Sequence, residues 1–246
     1  MKKFNKETIQ KLKRYVYLLS DPETGDIFYV GKGKGNRVFS HLKDYSNSEK
    51  AKKIKELKSR NLDPKIEILV HGIDDELTIK KIESAMIDLI GKNNLTNVVG
   101  GYESTDFGRM DITQIVAKYS SKEARITEPV LLIKLSDTFR YNMDPMELYD
   151  YTRGIWMVNE NRVKNVSYAF AIYDGIIQET YKALEWFPAG STYSSRTDKK
   201  SWKVNKDKRR EFVGHVSEKM RKKYRYKSVE HYFKSGARNP LLYLNT

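Results

Sequence analysis

Apolar residues recur at two different spacings along the first hundred positions, and the switches between spacings mark out the elements. Tyr15 to Leu19 and Ile27 to Val30 are short runs rich in tyrosine and branched side chains, the composition of strands. Between them SDPETGD places Pro22 and Gly25 at turn positions, which predicts a β-hairpin. Lys65 to Val70 alternates and predicts a third strand. The other segments have helical spacing. Asn5 to Lys13 is a short helix with Asn5 as its N-cap, and Asn36 to Lys43 is another short one. Ser48 to Arg60 is strongly charged, with Ala51, Ile54 and Leu57 three apart, and Pro64 is expected to end it. Asp75 to Lys92 is a long helix with acidic residues in its first turn, and Gly100 and Gly101 close the unit.

After residue 102 the pattern changes. The stretch to Thr127 is polar, with one short helix over Asp111 to Tyr119, and reads as a connection. From Glu128 onward VLLIKL, SYAFAIYDGII, TYKALEWF and REFVGHV are β-rich runs, interrupted by a helix around Pro145 to Tyr151. Tyr168, Phe170 and Ile172 alternate, so at least one side of that strand faces a core. The expected organisation is an α+β chain with a domain over 1–105, a connector over 106–127 and a β-rich domain over 128–246. No internal repeat of fixed period is present.

Charge adds a function class. The 246 residues carry 46 Lys and Arg against 32 Asp and Glu, a formal net charge of +14. That excess favours a polyanionic partner, and 17 Tyr, 9 Phe and 3 Trp offer rings on which bases stack, so nucleic acid is the expected partner. With 39% hydrophobic residues a packed core is still within reach. The absence of cysteine excludes a cysteine-based zinc finger and a disulfide framework. It suits a cytoplasmic protein, as does an N-terminus without an apolar run of signal-peptide length. No stretch approaches 18 consecutive apolar residues, so no membrane span is expected.

The candidate chemistry gathers around FYVGKGKGNRVFSHL, residues 28 to 42. Its glycines follow G-x-G-x-G, which matches neither the P-loop nor the dinucleotide fingerprint. They read instead as a strand end that lets a phosphate approach, with Lys32 and Lys34 attracting it. Arg37 and His41 are four apart and share a helix face. On the long helix, Ile79, Ile82, Met86, Leu89 and Ile90 form an apolar stripe with Glu83 inside it. A carboxylate there either bends out to water or faces a cation, a metal or hydrogen-bond donors, because burying it unpaired is costly. Carboxylate, arginine, histidine, lysines and two strand tyrosines together suit phosphodiester cleavage. The carboxylate can hold a divalent cation, arginine can grip a non-bridging oxygen, and tyrosine or histidine can take a proton from water.

These motifs, in this order, resemble the GIY-YIG nucleases. VYL at Val16 to Leu18 and YVG at Tyr29 to Gly31 are similar to the paired tripeptides, KGKGNRVFSH to the next motif, IESAMIDLIG to the helix of the metal-binding glutamate, and LTNVVGG to the late asparagine segment. The first tripeptide departs from the literal motif, since Tyr15 stands where the small residue is expected. The resemblance covers residues 13 to 101, and YVGKGKGNRVFSHL is most similar to the branch found beside LEM domains in animal nucleases; no LEM domain is legible in these residues. The resemblance implies Tyr17 as general base or positioner of the attacking water, Tyr29 as a residue ordering water and phosphate, and Lys32 or Lys34 in support. It further implies Arg37 on the scissile phosphate, His41 as base or proton relay, Glu83 as the ligand of one Mg²⁺ or Mn²⁺, and Asn97 as a brace.

For the second domain a PUA-like barrel is expected, the kind that reads modified bases. From Lys199 to Arg238 fifteen Lys or Arg stand against four Asp or Glu. Arg153, Trp156, Trp186, Trp202, Arg209, Arg210, Lys222 and Lys223 are the candidate DNA contacts, although Trp156 and Trp186 would serve equally as core residues and Arg153 as an ion-pair partner. The expected function is metal-dependent DNA cleavage in restriction or defence, on DNA that is base-modified or branched, with a dimer as one route to a double-strand break. Repair of branched DNA, a binding protein that no longer cuts, and an RNA-directed protein remain as alternatives.

Overall fold

The computed structural model describes residues 3–40, 42, 46–91, 94–97, 101, 103–196, 208–234, 236 and 239–246. The chain forms two compact units, Met1–Arg109 and Met110–Thr246. Both mix helices with a sheet, so the fold is α+β. Of the residues singled out above, His41 and Trp202 lie outside the described residues.

In the first unit, α1 (Lys6–Leu12) leads into β1 (Arg14–Ser20), β2 (Ile27–Lys34), α2 (Arg37–Ser40), α3 (Glu49–Ser59), β3 (Lys65–Ile73) and α4 (Glu76–Ile90), with a short α5 (Ser104–Phe107) near its end. The three strands form an antiparallel sheet in the order β2-β1-β3. The central strand is covered on both faces. Tyr15, Tyr17 and Leu19 pack with Leu12, Ile54 and Leu57 from α1 and α3, while Val16 and Leu18 pack with Ile79 and Ile87 from α4. Helix starts follow the sequence: the side chains of Asn5, Ser48 and Asp75 accept from Thr8, Ala51 and Thr78 backbone N–H groups.

Three local expectations are corrected. First, α3 stops at Ser59, well before Pro64. Asn61 takes φ +59°, and the Leu62 N–H reaches back to the Leu57 carbonyl at 3.0 Å, so a left-handed cap ends the helix. Second, the apolar face of α4 is rotated, because Ile87 is buried and Leu89 is 63% exposed. Third, β2 does not end at the glycines. It runs through them to Lys34, with Gly31 opposite Tyr17 and Gly33 opposite Tyr15. A Cβ on Gly31 would lie 2.7 Å from the Tyr17 ring and from the Tyr29 ring, and one on Gly33 would lie 2.8 Å from the Tyr15 ring. These two glycines therefore make room for tyrosine rings; they are not a flexible phosphate cradle. Only Gly35, at φ +59°, serves the turn into α2.

The second unit is built on a five-stranded sheet in the order β7-β6-β5-β4-β8. Its elements are α6 (Ile112–Ser120), β4 (Val130–Lys134), α7 (Pro145–Arg153), α8 (Glu160–Val163), β5 (Tyr168–Tyr173), β6 (Ile176–Pro188), β7 (Arg210–Val216), α9 (Glu218–Tyr224) and β8 (Leu241–Leu244). β4 and β5 are parallel, joined by a crossover through α7 and α8; the other neighbours are antiparallel. One face packs under α7 around Leu131, Leu148 and Phe212. The other packs under α9 around Leu132, Phe170 and Met220, together with Ala124 and Ile126. Among the described residues the outer strands β7 and β8 each have one strand neighbour, so the pairing is that of an open sheet, not a closed barrel.

Glu128 ties the chain before β4 to α9. Its carboxylate accepts from Lys223 Nζ at 2.8 Å and from the Tyr224 hydroxyl at 2.6 Å. Burial opposes its charge, but these two donors outweigh burial and hold its pKa at about 2. A pKa lowered in the folded state stabilises the fold above the unfolded glutamate value and loses that contribution as pH falls through the folded one. Glu128→Gln should therefore cost roughly 1–3 kcal/mol at pH 7, with the difference from wild type vanishing near pH 2. Urea unfolding at several pH values measures this, and a pH-independent difference would contradict it. Gly33→Ala should cost roughly 1–3 kcal/mol by forcing the Tyr15 ring aside. A thermal midpoint equal to wild type would show that the ring has room to move.

Candidate active site

The hairpin β1–β2 and the turn after it set out the candidate groups. Tyr15 replaces the small residue of the family tripeptide, and Gly33 opposite provides the missing space. The buried Tyr15 hydroxyl donates to the Gly35 carbonyl at 2.9 Å and accepts from the Val38 N–H at 3.1 Å. It thus pins both the turn and the first turn of α2, the element that carries Arg37. Sequence reading took Tyr15 only as a departure from the motif; its pairing with a glycine two residues beyond YVG was the available signal.

Tyr17 is fully buried, and its ring centre lies 6.1 Å from that of the half-buried Tyr29. Burial is the main force pushing the Tyr17 phenol far above its ordinary range; the Tyr29 phenol adds to it, and the Arg37 charge opposes it. Burial thus disfavours the charged form of the Tyr17 phenol. Arg37 itself is exposed on α2, close enough to influence both Tyr15 and Tyr17.

On the opposite face of the hairpin, Lys32 sits across from Val16 and points to α4. Its ammonium forms an ion pair with Glu83 Oε2. The Glu83 side chain is 13% exposed and that of Lys32 is 42% exposed, so the pair sits at a rim and not in the core. Glu83 thus faces a cation. Asn97 clamps the outer edge of β2: its Oδ1 accepts from the Val30 N–H at 3.1 Å and its Nδ2 donates to the Val30 carbonyl at 2.8 Å. Thr96 bonds the Phe28 carbonyl through both its N–H, at 2.7 Å, and its hydroxyl, at 2.9 Å. The edge of β2 is therefore held as far as Val30. From Gly31 to Lys34 no strand adjoins it among the described residues, and Lys34 is exposed at its end. The tyrosine pair lies on one face of this edge strand and the Lys32–Glu83 pair on the other.

Sequence reading missed Lys50. It sits in the first turn of α3, is buried, and its ammonium lies 5.0 Å over the Tyr29 ring centre. Nothing in the charged run EKAKKIKELKS separates it from its exposed neighbours except its place one residue before the buried Ala51.

The second unit treats its candidate contacts differently. Arg153 is inside the protein. Its Nε donates to Asp150 at 2.7 Å, and its two terminal nitrogens donate to the Thr192 hydroxyl at 2.6 Å and to the Tyr193 carbonyl. Its guanidinium is committed to internal groups and is not presented to a phosphate. Trp156 and Trp186 are half-buried against the core, with the Trp156 indole N–H donating to the Thr152 carbonyl at 2.8 Å. Arg209 donates to the Ile155 carbonyl at 3.1 Å, and Arg210 pairs with Glu160. Lys223 is held by Glu128, and both it and Lys222 are exposed.

Residues 15–143 match the family model described as the LEM-3-like GIY-YIG domain. No curated protein and no solved structure matches the chain. The matched stretch is more than half of the 246 residues and contains Tyr15, Tyr17, Tyr29, Arg37, Glu83 and Asn97. The chain belongs to the LEM-3-like GIY-YIG family and is a nuclease that acts on DNA.

Proposed function

We propose that the first unit is a metal-dependent DNA endonuclease whose active site is the edge of β2, with Glu83 as the metal-binding residue. The observation that carries this reading is the Lys32–Glu83 ion pair, which places a rim carboxylate against the strand that bears Tyr29 and Gly31. No group of three or more His, Cys, Asp or Glu is clustered among the described residues. A single hard carboxylate on a rigid helix suits Mg²⁺ or Mn²⁺, which bind through one or two carboxylates and fill their shell with water and phosphate oxygens. When bound, the cation polarises the scissile phosphate and stabilises the leaving oxygen.

The chain's own residues supply the rest. Lys32 balances the Glu83 charge before DNA arrives, and Lys34 draws the backbone toward the open edge. Arg37 grips a non-bridging oxygen as negative charge builds on phosphorus. Tyr17 stands as general base or positioner of the attacking water, and Tyr29 orders that water against the phosphate. His41 stands as a base or proton relay, and Asn97 keeps Val30, and with it the Tyr29–Gly31 segment, in place. The second unit, with its excess of Lys and Arg, selects the substrate. Restriction or defence against foreign, base-modified DNA is the biological role that this division of labour supports.

Cleavage of phage DNA with Mg²⁺ or with EDTA tests the reading. Wild type should cut with Mg²⁺ alone. Glu83→Ala should lose cleavage and keep DNA binding; full activity in that variant would remove Glu83 from the metal site. Arg37→Ala should lower turnover by roughly 10²- to 10³-fold, and wild-type turnover would dismiss the phosphate grip. Comparing unmodified, base-modified and branched substrates separates a defence nuclease from one that processes branches.

A further inference from the structure

We infer that Lys50 is a positioning residue for the nuclease reaction, acting through Tyr29: its ammonium on the ring face fixes where the Tyr29 hydroxyl sits. This rests on the nuclease reading above. α3 carries six lysines and glutamates on its outer surface, with Lys52, Lys55 and Lys58 exposed, yet Lys50 turns inward and is only 8% exposed. Two forces oppose that placement. A cation in the first turn of a helix faces the positive end of the dipole, and a buried ammonium loses hydration. There its ammonium lies over the Tyr29 ring, 5.0 Å from Nζ to the ring centre.

Tyr29 is half-buried and packs against the core that holds Tyr15 and Tyr17. Its neighbour on the way out of the strand is Gly31, which has no side chain to wall the ring, and the Tyr17 ring touches it at an angle of 45°. A ring cation adds a directional hold, since attraction to the π face depends on the tilt of the ring. With Tyr17 on β1 and Lys50 on α3, the orientation of Tyr29 is set from two elements that do not touch the substrate edge of β2.

Single-turnover cleavage of a plasmid under enzyme excess tests this, with Lys50→Met to remove the charge at similar length and Lys50→Arg to keep it. Lys50→Met should cut roughly tenfold more slowly with unchanged DNA affinity, and Lys50→Arg should return to within a few-fold of wild type. Wild-type rates in Lys50→Met, with Glu83→Ala inactive, would overturn the inference and leave the nuclease reading intact. So would a loss confined to DNA affinity with a shallower salt dependence, which marks a phosphate contact. The contact is also read without cleavage. The Lys50 ε-methylene resonances should be shifted upfield by the ring in wild type and relax to ordinary positions in Tyr29→Leu. Unshifted resonances in wild type would overturn the inference even if no substrate were cut.

Discussion

The first unit depends on how two tyrosine rings are housed. Tyr15 and Tyr17 are large, polar-tipped and fully buried on the central strand, and each lies over a residue of β2 that has no side chain. The packing is close enough that a single added carbon at Gly31 or Gly33 would sit inside contact distance. From this follow the register of the hairpin, the extension of β2 to Lys34 and the position of the turn that Tyr15 anchors at Gly35 and Val38. Arg37, Lys32 and Tyr29 inherit their places from that register.

Burial also distinguishes Tyr17 from Tyr29. The same enclosure that fixes Tyr17 raises the cost of its charged form. Tyr29, one strand outward, is only half-buried. The packing that secures the fold and the chemistry of the site are thus one arrangement.

Much of this was legible in the sequence. The hairpin, the Asn5 cap, the helix starts at Ser48 and Asp75 and the helix that carries Glu83 follow from turn residues, N-cap chemistry and helical spacing, all local properties. What was not legible depends on neighbours distant in sequence. The glycines looked like a loop because their partners, the tyrosine rings, lie 14 and 18 positions earlier. Leu89 and Ile87 exchanged places because spacing gives the width of an apolar face but not its rotation against a particular sheet. For Arg153 the sequence left a DNA contact and an ion pair both open, because its partners on α7 and in residues 192–193 meet only in the fold. Strand β8 was missed because four residues pair with β4 across more than a hundred positions.

The extent of the family match has a practical meaning for dissecting the chain. Residues 15–143 run past Arg109 and end beyond β4. Strand β4 is buried on both faces and lies between β5 and β8, both encoded after residue 143. A fragment cut at the family boundary would carry VLLIK stripped of both hydrogen-bonding neighbours and of the apolar surfaces that cover it. Such a strand is an edge-pairing template, so that fragment is poised to self-associate. A boundary at Arg109 leaves no such strand behind, which makes the unit division, and not the family limit, the place where the nuclease part should be separated.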